Sequence, residues 1–224
     1  AVARYGLPYW QVHRADLLAA LAAGAAEAGV RLVLGTRALG VEERGDRVRL
    51  ALEGADPAEA EIVVAADGVR SGVRRALLAG APPRFTGHVA WRGLVPAERL
   101  PRGALPAGPC VTMGPGRHLV TYPLRGGRLW NFVAVEERQA WADEGWSVAG
   151  DPQELRAACA GIWPGAAALL SAIDETFLWG LFDHPPLAAW TRGRVALLGD
   201  AAHPMLPFLA QGAAMALEDA WVLA

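Results

Sequence analysis

Two stretches of this chain place an acidic residue and a glycine between an apolar run and a helix-like run. Near the C-terminus, Arg194-Val-Ala-Leu-Leu198 leads into Gly199-Asp200, then a turn through Pro204 and Pro207, then a helix opened by Gly212 and Ala213. Far upstream, Glu61-Ile-Val-Val-Ala-Ala66 leads into Asp67-Gly68 and a helix start at Ser71. An aspartate at the end of a buried strand accepts hydrogen bonds, and a glycine lets a ligand approach the backbone. A helix N-terminus adds unpaired N–H groups and the positive end of the macrodipole. That set suits a ligand with hydroxyls and a developing negative charge, and two such corners predict a large polar cofactor held at two points. Asp200 by itself also fits a helix N-cap, and Gly212 a simple glycine helix entry. Asp67 and Arg74, seven residues apart, could form an ion pair. His203 reads as a turn residue with a structural role.

Other chemistries find little support. No Cys/His spacing suggests a metal site, and no G-x-S-x-G suggests a hydrolase. Cys110 and Cys159 have no motif around them and read as small core residues. The net charge of −2 gives no reason to propose nucleic acid or an anionic membrane. All 21 basic residues are arginine, which reads as codon bias. No apolar run approaches a membrane span, so cytoplasm is the default location.

The 224 residues, 53% of them apolar, suffice for one large domain or two small ones. Arg14 to Gly29 reads as an Ala/Leu-rich helix stopped by glycine. Arg31 to Leu34 reads as a strand, and Ala38–Glu43 with Arg47–Glu53 as a hairpin around Gly45-Asp46. Glu61 to Ala66 is apolar enough for a strand buried on both faces, and Ser71 to Leu78 is a short helix. After Pro82-Pro83 the composition shifts to Trp, Gly and Pro. Strands are expected at His88–Val95, Cys110–Gly114, His118–Pro123, Leu129–Glu136 and Thr176–Phe182, with a helix from Pro152 to Ile162. The predicted class is α/β (α+β), an incomplete Rossmann-like domain with an inserted, mostly antiparallel sheet. Its expected domains are residues 1–80, 81–190 and a return at 191–224.

Both corners resemble motifs of the flavoprotein aromatic hydroxylases, the single-component FAD monooxygenases of the salicylate and 3-hydroxybenzoate hydroxylase kind. D-G-x-x-S-x-x-R is matched by Asp67, Gly68, Ser71 and Arg74. G-D-A-A-H-x-x-x-P is matched by Gly199, Asp200, Ala201, Ala202, His203 and Pro207. His13-Arg-Ala-Asp-Leu17, Trp91-Arg-Gly93 and Thr121-Tyr-Pro-Leu124 are similar to further landmarks. The resemblance implies FAD as cofactor, with Arg14, Asp67, Gly68, Gly199, Asp200, Pro207, Gly212 and Ala213 around it. Asp200 would hold a ribityl hydroxyl, and the Gly212–Ala213 N–H groups would face the flavin pyrimidine ring. It also implies NAD(P)H as reductant, dioxygen as co-substrate, and a flavin C4a-hydroperoxide that hydroxylates a phenolic or related aromatic substrate. No side-chain nucleophile is expected.

A substrate pocket is expected between the middle sheet and the turn from His203 to Phe208, with Trp91, Arg92, His118, Tyr122 and Phe208 as candidates and Trp130 beside them. Pro207 stands where some 3-hydroxybenzoate 6-hydroxylase-like members have Gln, so their regiochemistry is not carried over. The family's opening G-x-G-x-x-G is absent here, and the pyrophosphate sits on that turn in a complete dinucleotide fold. The chain is therefore expected to be an internal fragment, weak in FAD binding, with an exposed sheet edge that favours self-association, a homodimer included. A halogenase, whose W-x-W-x-I-P is missing, a reductase of the same fold, or a non-catalytic remnant are the alternatives.

Overall fold

The computed structural model describes residues 2–78, 81–141, 148–161 and 166–224. In chain order they form α1 (Val2–Tyr5), α2 (Arg14–Glu27), β1 (Ala38–Arg44), β2 (Arg47–Leu52), β3 (Ala58–Ala60), β4 (Val63–Ala65) and α3 (Gly72–Leu78). Then come β5 (Arg84–Pro96), β6 (Cys110–Gly114), β7 (Arg117–Leu124), β8 (Leu129–Glu137), β9 (Val148–Gly150), α4 (Pro152–Ala158) and α5 (Ala166–Ser171). The chain closes with β10 (Thr176–Asp183), β11 (Thr191–Arg192), β12 (Val195–Leu197) and α6 (Gly212–Leu223). The pattern is mixed α/β with a large, mostly antiparallel sheet, as the sequence predicts. Ile162 of the expected fourth helix lies outside the described residues.

The chain divides into two compact units, Ala1–Arg31 with Gly87–Leu181 and Leu32–Thr86 with Phe182–Ala224. This division differs from one drawn at residues 81 and 191: the first 31 residues group with the middle sheet.

The first unit is built on a six-stranded sheet in the order β6-β7-β8-β5-β10-β9. Register pairs Trp91 with Ala134, Arg92 with Val133, and Tyr122 with Asn131. Side chains alternate between faces along each strand. One face carries Val89, Trp91, Val95, Leu119, Thr121, Phe132 and Ala134, each at most 2% exposed. Helix α4 is tied to that face. Arg117 donates to the Ala158 carbonyl at 2.6 Å, and Arg138 bridges Glu136 and Glu154. Asp151 caps α4 by accepting from the Gln153 N–H at 2.8 Å, with Pro152 at its first position.

The second unit contains a three-stranded antiparallel sheet, β1-β2-β3, and a small sheet in the order β11-β12-β4. The β1–β2 hairpin turns at Gly45-Asp46 as expected, with Gly45 at φ 63°. Strands β12 and β4 run parallel, with Leu197 opposite Ala65. Asp200 and Asp67 thus follow the same, C-terminal end of two neighbouring parallel strands. Crevices outside such strand ends are where open α/β sheets bind ligands.

Two expectations are corrected. Arg31–Leu34 is not a strand, because no neighbour among the described residues pairs with it; Leu34 is 87% exposed. The β4 segment is not buried on both faces. Ala65 is buried, whereas Ile62 and Val64 are exposed, since β12 is its only described neighbour.

Candidate functional site

At the upstream corner, Asp67 caps the following helix. Its Oδ2 accepts the N–H groups of Gly72 at 2.9 Å and Val73 at 3.4 Å. Ser71 Oγ accepts the Arg74 N–H at 2.9 Å. The first three N–H groups of α3 are therefore satisfied by side chains, and that helix end has little left for a ligand. Gly68 supplies the turn at φ 79°, and a Cβ there would meet nothing within 4 Å.

Arg74 is buried, and it is not the ion-pair partner of Asp67. Its Nη1 donates to the carbonyls of Ala201 at 3.1 Å and Ala202 at 2.9 Å, and its Nη2 to Pro185 at 2.8 Å. Burial pushes its guanidinium below the ordinary arginine range. The arginine of the upstream motif is thus a staple to the downstream one.

The downstream corner has the opposite character. Gly199 holds φ 59° and packs its Cα against α6, where a Cβ would lie 3.2 Å from that of Ala216. Its N–H donates to Asp219 Oδ2 at 2.9 Å, and His203 Nε2 meets the same oxygen at 2.6 Å. Asp219 of α6 thereby locks the turn, and His203 takes the structural part expected of it. Asp200 is left over. Its carboxylate has no hydrogen-bond or ion-pair partner among the described residues, and its Oδ1 lies 3.8 Å from the Cβ position of Gly212. No side chain caps α6, whose opening residues are Gly212 and Ala213. Ala210, two residues earlier, holds a left-handed φ of 52°, a costly conformation that shapes the approach to this helix end. A free acceptor beside free N–H donors at a helix N-terminus fits a ligand bearing hydroxyls and an electron-rich ring, so the residues present fit FAD. Pro207 and Phe208 form a short 3-10 turn in this unit, with Phe208 half-exposed.

In the first unit, a cleft of ≈ 500 Å³ opens on the sheet face opposite α4. Arg14, at the start of α2, lines it with Arg92, Tyr122, Asn131, Val133 and Trp179. The Arg92 guanidinium lies over the rings of Trp179 at 5.1 Å and Phe177 at 5.8 Å. Burial and, secondarily, the nearby Arg14 charge push it below the ordinary arginine range. Burial, and secondarily Tyr9, push the Tyr122 phenol up, so it stays a neutral donor. Asn131 Nδ2 is buried with no partner.

Arg14, Arg92 and Tyr122 therefore meet in one cleft, whereas Trp91, His118, Trp130 and Phe208 are not among its lining residues. Trp91 is fully buried on the opposite face, its Nε1 donating to Glu136 at 3.1 Å. As the neighbour of Arg92 on a strand, it had to point the other way. His118 shares the face of Tyr122 but lies outside the cleft lining, beside His88. Asn131, Phe177 and Trp179 were missed. Asn131 had a readable signal, since it is a lone amide inside the apolar run from Leu129 to Val135.

A family model described as "FAD binding domain" matches residues 7–224. The chain is 43% identical over 223 residues to 3-amino-4-hydroxybenzoate 2-monooxygenase PtnB3 of Streptomyces platensis, covering 100% of this chain and 56% of that protein. It is 43% identical over 230 residues to 6-hydroxynicotinate 3-monooxygenase of Bordetella bronchiseptica, covering 100% and 58%. A salicylate hydroxylase structure with substrate superposes with a TM-score of 0.81 at 33% identity, over 94% of this chain and 56% of that one. The chain spans a little over half the length of these relatives. No helix among the described residues is long and apolar enough to cross a membrane. With the two motif corners stapled by Arg74 and the match running through nearly every residue, the chain belongs to the flavoprotein aromatic hydroxylase family, whose members carry this FAD-binding domain.

Proposed function

We propose that the protein containing this chain hydroxylates an aromatic ring that bears a carboxylate, using FAD, NAD(P)H and dioxygen. The observation that carries the reading is the partner-free Asp200 carboxylate beside the uncapped start of α6. Asp200 would accept a ribityl hydroxyl, and the N–H groups of Gly212 and Ala213 would stabilise negative charge on the reduced ring. Asp67 and Gly68 shape the neighbouring strand-end turn, with Asp67 acting through the backbone of α3. Gly199 and Pro207 set the path of the chain into α6. FAD, when bound and reduced by NAD(P)H, supplies the activation of dioxygen for transfer of one oxygen atom to the ring.

The cleft of the first unit supplies the substrate side. Arg14 and Arg92 concentrate positive charge there. A planar carboxylate matches an arginine fork, and the named substrates of both monooxygenase relatives are aromatic carboxylates. Tyr122 and Asn131 offer donors to ring substituents. Val133, Phe177 and Trp179 give apolar walls that exclude water from a reactive oxygen donor.

The test is NAD(P)H oxidation by the purified FAD-containing protein with a panel of hydroxyaryl carboxylates and the matching amides. Carboxylates are expected to stimulate oxidation and to gain one oxygen atom by mass spectrometry. Equal stimulation by the amides would remove the carboxylate. Failure of every aromatic to gain oxygen would remove the activity.

A further inference from the structure

Asn131 stands on β8, opposite Tyr122 on β7 and Leu94 on β5, and its side chain lines the cleft of the first unit. Its Nδ2 is buried and meets no acceptor among the described residues. A second lining atom shares that condition: His13 Nδ1 is buried without a hydrogen-bond partner, 3.8 Å from the Asp16 carboxylate. A buried donor left without an acceptor is costly. In a cleft, its natural complement is an acceptor carried by the ligand. Tyr122, across the ladder, offers a hydroxyl that donates or accepts as needed, so it does not choose between ligands. The amide N–H of Asn131 only donates, so it does choose.

The cationic end of the cleft lies elsewhere. The sheet runs β7-β8-β5-β10 through this region. Arg92 leaves β5 toward β10, with its guanidinium over the rings of Trp179 and Phe177. Arg14 is near enough for its charge to act on Arg92. Asn131 and Tyr122 lie on the other side of β5. Neighbouring strands are about 4.8 Å apart, so β10 and β8 are separated by about 10 Å. That span takes an aromatic ring with a hydrogen-bonding group at each end. It is too long for two groups on adjacent ring carbons. Val133, opposite Arg92 and on the same face of β8 as Asn131, gives the apolar wall between the two ends.

We propose that Asn131 is a specificity-determining residue whose Nδ2 donates to an oxygen substituent on the far side of the ring from the carboxylate, so that the cleft selects para-oxygenated aryl carboxylates over para-amino and ortho-hydroxy ones. A phenol, phenolate or ring carbonyl oxygen accepts from the amide. An arylamine sets its own N–H groups against that donor, while its lone pair is drawn into the ring. An ortho-hydroxy acid places both groups at the cationic end and leaves Asn131 unsatisfied. A site built around a buried donor rejects the analogue that lacks the acceptor. The inference rests on the aromatic carboxylate reading and adds which further substituent is read, and where.

The experiment is calorimetric binding to the purified FAD-containing protein, with para-hydroxybenzoate, para-aminobenzoate, ortho-hydroxybenzoate and unsubstituted benzoate as probes. Wild type is expected to hold para-hydroxybenzoate roughly tenfold tighter than each of the others, the scale of one hydrogen bond. Asn131→Ala should level the two para compounds. Asn131→Asp, which puts an acceptor where the donor stood, should reverse their order. A merely structural Asn131 would move both affinities together. The wild-type ratios need no variant, so they decide even where Asn131→Asp does not fold. Equal wild-type affinity for the para pair overturns the proposal, and so does a preference for the amine, which would mean that the amide presents its oxygen. Tighter binding of the ortho acid overturns it too. If all four benzoates bind alike, the carboxylate reading stands and this inference falls; if none binds, both fall.

Discussion

The Nη1 of Arg74 donates to the carbonyl of Ala202 at 2.9 Å, across 128 residues of chain. The same nitrogen holds Ala201, and Nη2 holds Pro185. Two motifs that look independent in sequence are halves of one construction. The D-G-x-x-S-x-x-R segment ends in the arginine that fixes the backbone of the G-D-A-A-H segment. Asp200 and the start of α6, which we propose face the cofactor, keep their place because the first motif holds the turn through the Ala201 and Ala202 carbonyls. Arg74 therefore shapes this corner through backbone carbonyls.

Replacing Arg74 with Met should leave the two buried carbonyls of Ala201 and Ala202, and the exposed one of Pro185, without their donor, at a cost of about 2–5 kcal/mol. Arg74→Lys should recover only part of this, because one ammonium cannot span three carbonyls as a fork does. Urea unfolding followed by circular dichroism measures both. A midpoint unchanged in Arg74→Met would show that the staple carries no weight.

Asp200 and Asp219 should separate binding from stability. Asp200 has no protein partner, so Asp200→Ala should leave the unfolding midpoint nearly unchanged while weakening FAD roughly ten- to a hundred-fold, the scale of a bond to a charged acceptor. Asp219 holds the Gly199 N–H and His203. Asp219→Ala should cost about 1.5–3 kcal/mol of stability. FAD fluorescence quenching and thermal melts of the FAD-binding protein give the two readouts. The reverse pattern would exchange the roles assigned to the two carboxylates.

The two strand-end corners were legible because local chemistry determines them. Glycine at positive φ, aspartate after an apolar run and a helix opened by Gly212 are all written within a few positions. Five strands of the six-stranded sheet were legible for the same reason, as strands and turns alternate in the composition, whereas the three-residue β9 was not expected. What escaped the sequence depends on register between distant strands. Trp91 and Arg92 were both candidates, yet adjacent residues on a strand face opposite ways, and only the pairing with β8 shows which face is open. Asn131 enters the cleft because β8 places it opposite Tyr122. The partners of Arg74 are carbonyls, which carry no side-chain signature at all. The Arg31–Leu34 segment shows the converse limit, since strand propensity without a neighbour does not make a strand.

The two thiols should differ sharply in reactivity. Both are free. Burial pushes Cys159 up to about 11, whereas Cys110 lies part-exposed on β6, 3.9 Å from the Thr112 hydroxyl. Only the thiolate attacks a disulfide reagent. Titration of the native chain with Ellman's reagent near neutral pH should therefore modify Cys110 quickly and Cys159 only after denaturant is added. Rapid modification of both would mean that the core around α4 opens readily.

His118 should make the fold sensitive to mild acid. Burial, and secondarily the charge of nearby His88, hold its imidazole below the ordinary value of 6.5. A histidine with a lowered folded value binds fewer protons folded than unfolded, so the unfolded state gains as pH falls below the ordinary value. Stability contributed by neutral His118 is thus present near neutrality. It is lost progressively between the ordinary value and the lower folded one, and is constant below both. His118→Gln removes the titrating group while keeping a polar side chain on the same strand. Urea unfolding at about pH 7 and about pH 5 should show a smaller loss of stability for His118→Gln than for wild type. Equal slopes in the two proteins would mean that His118 is as solvated in the folded chain as in the unfolded one. The acid sensitivity would then belong to other groups.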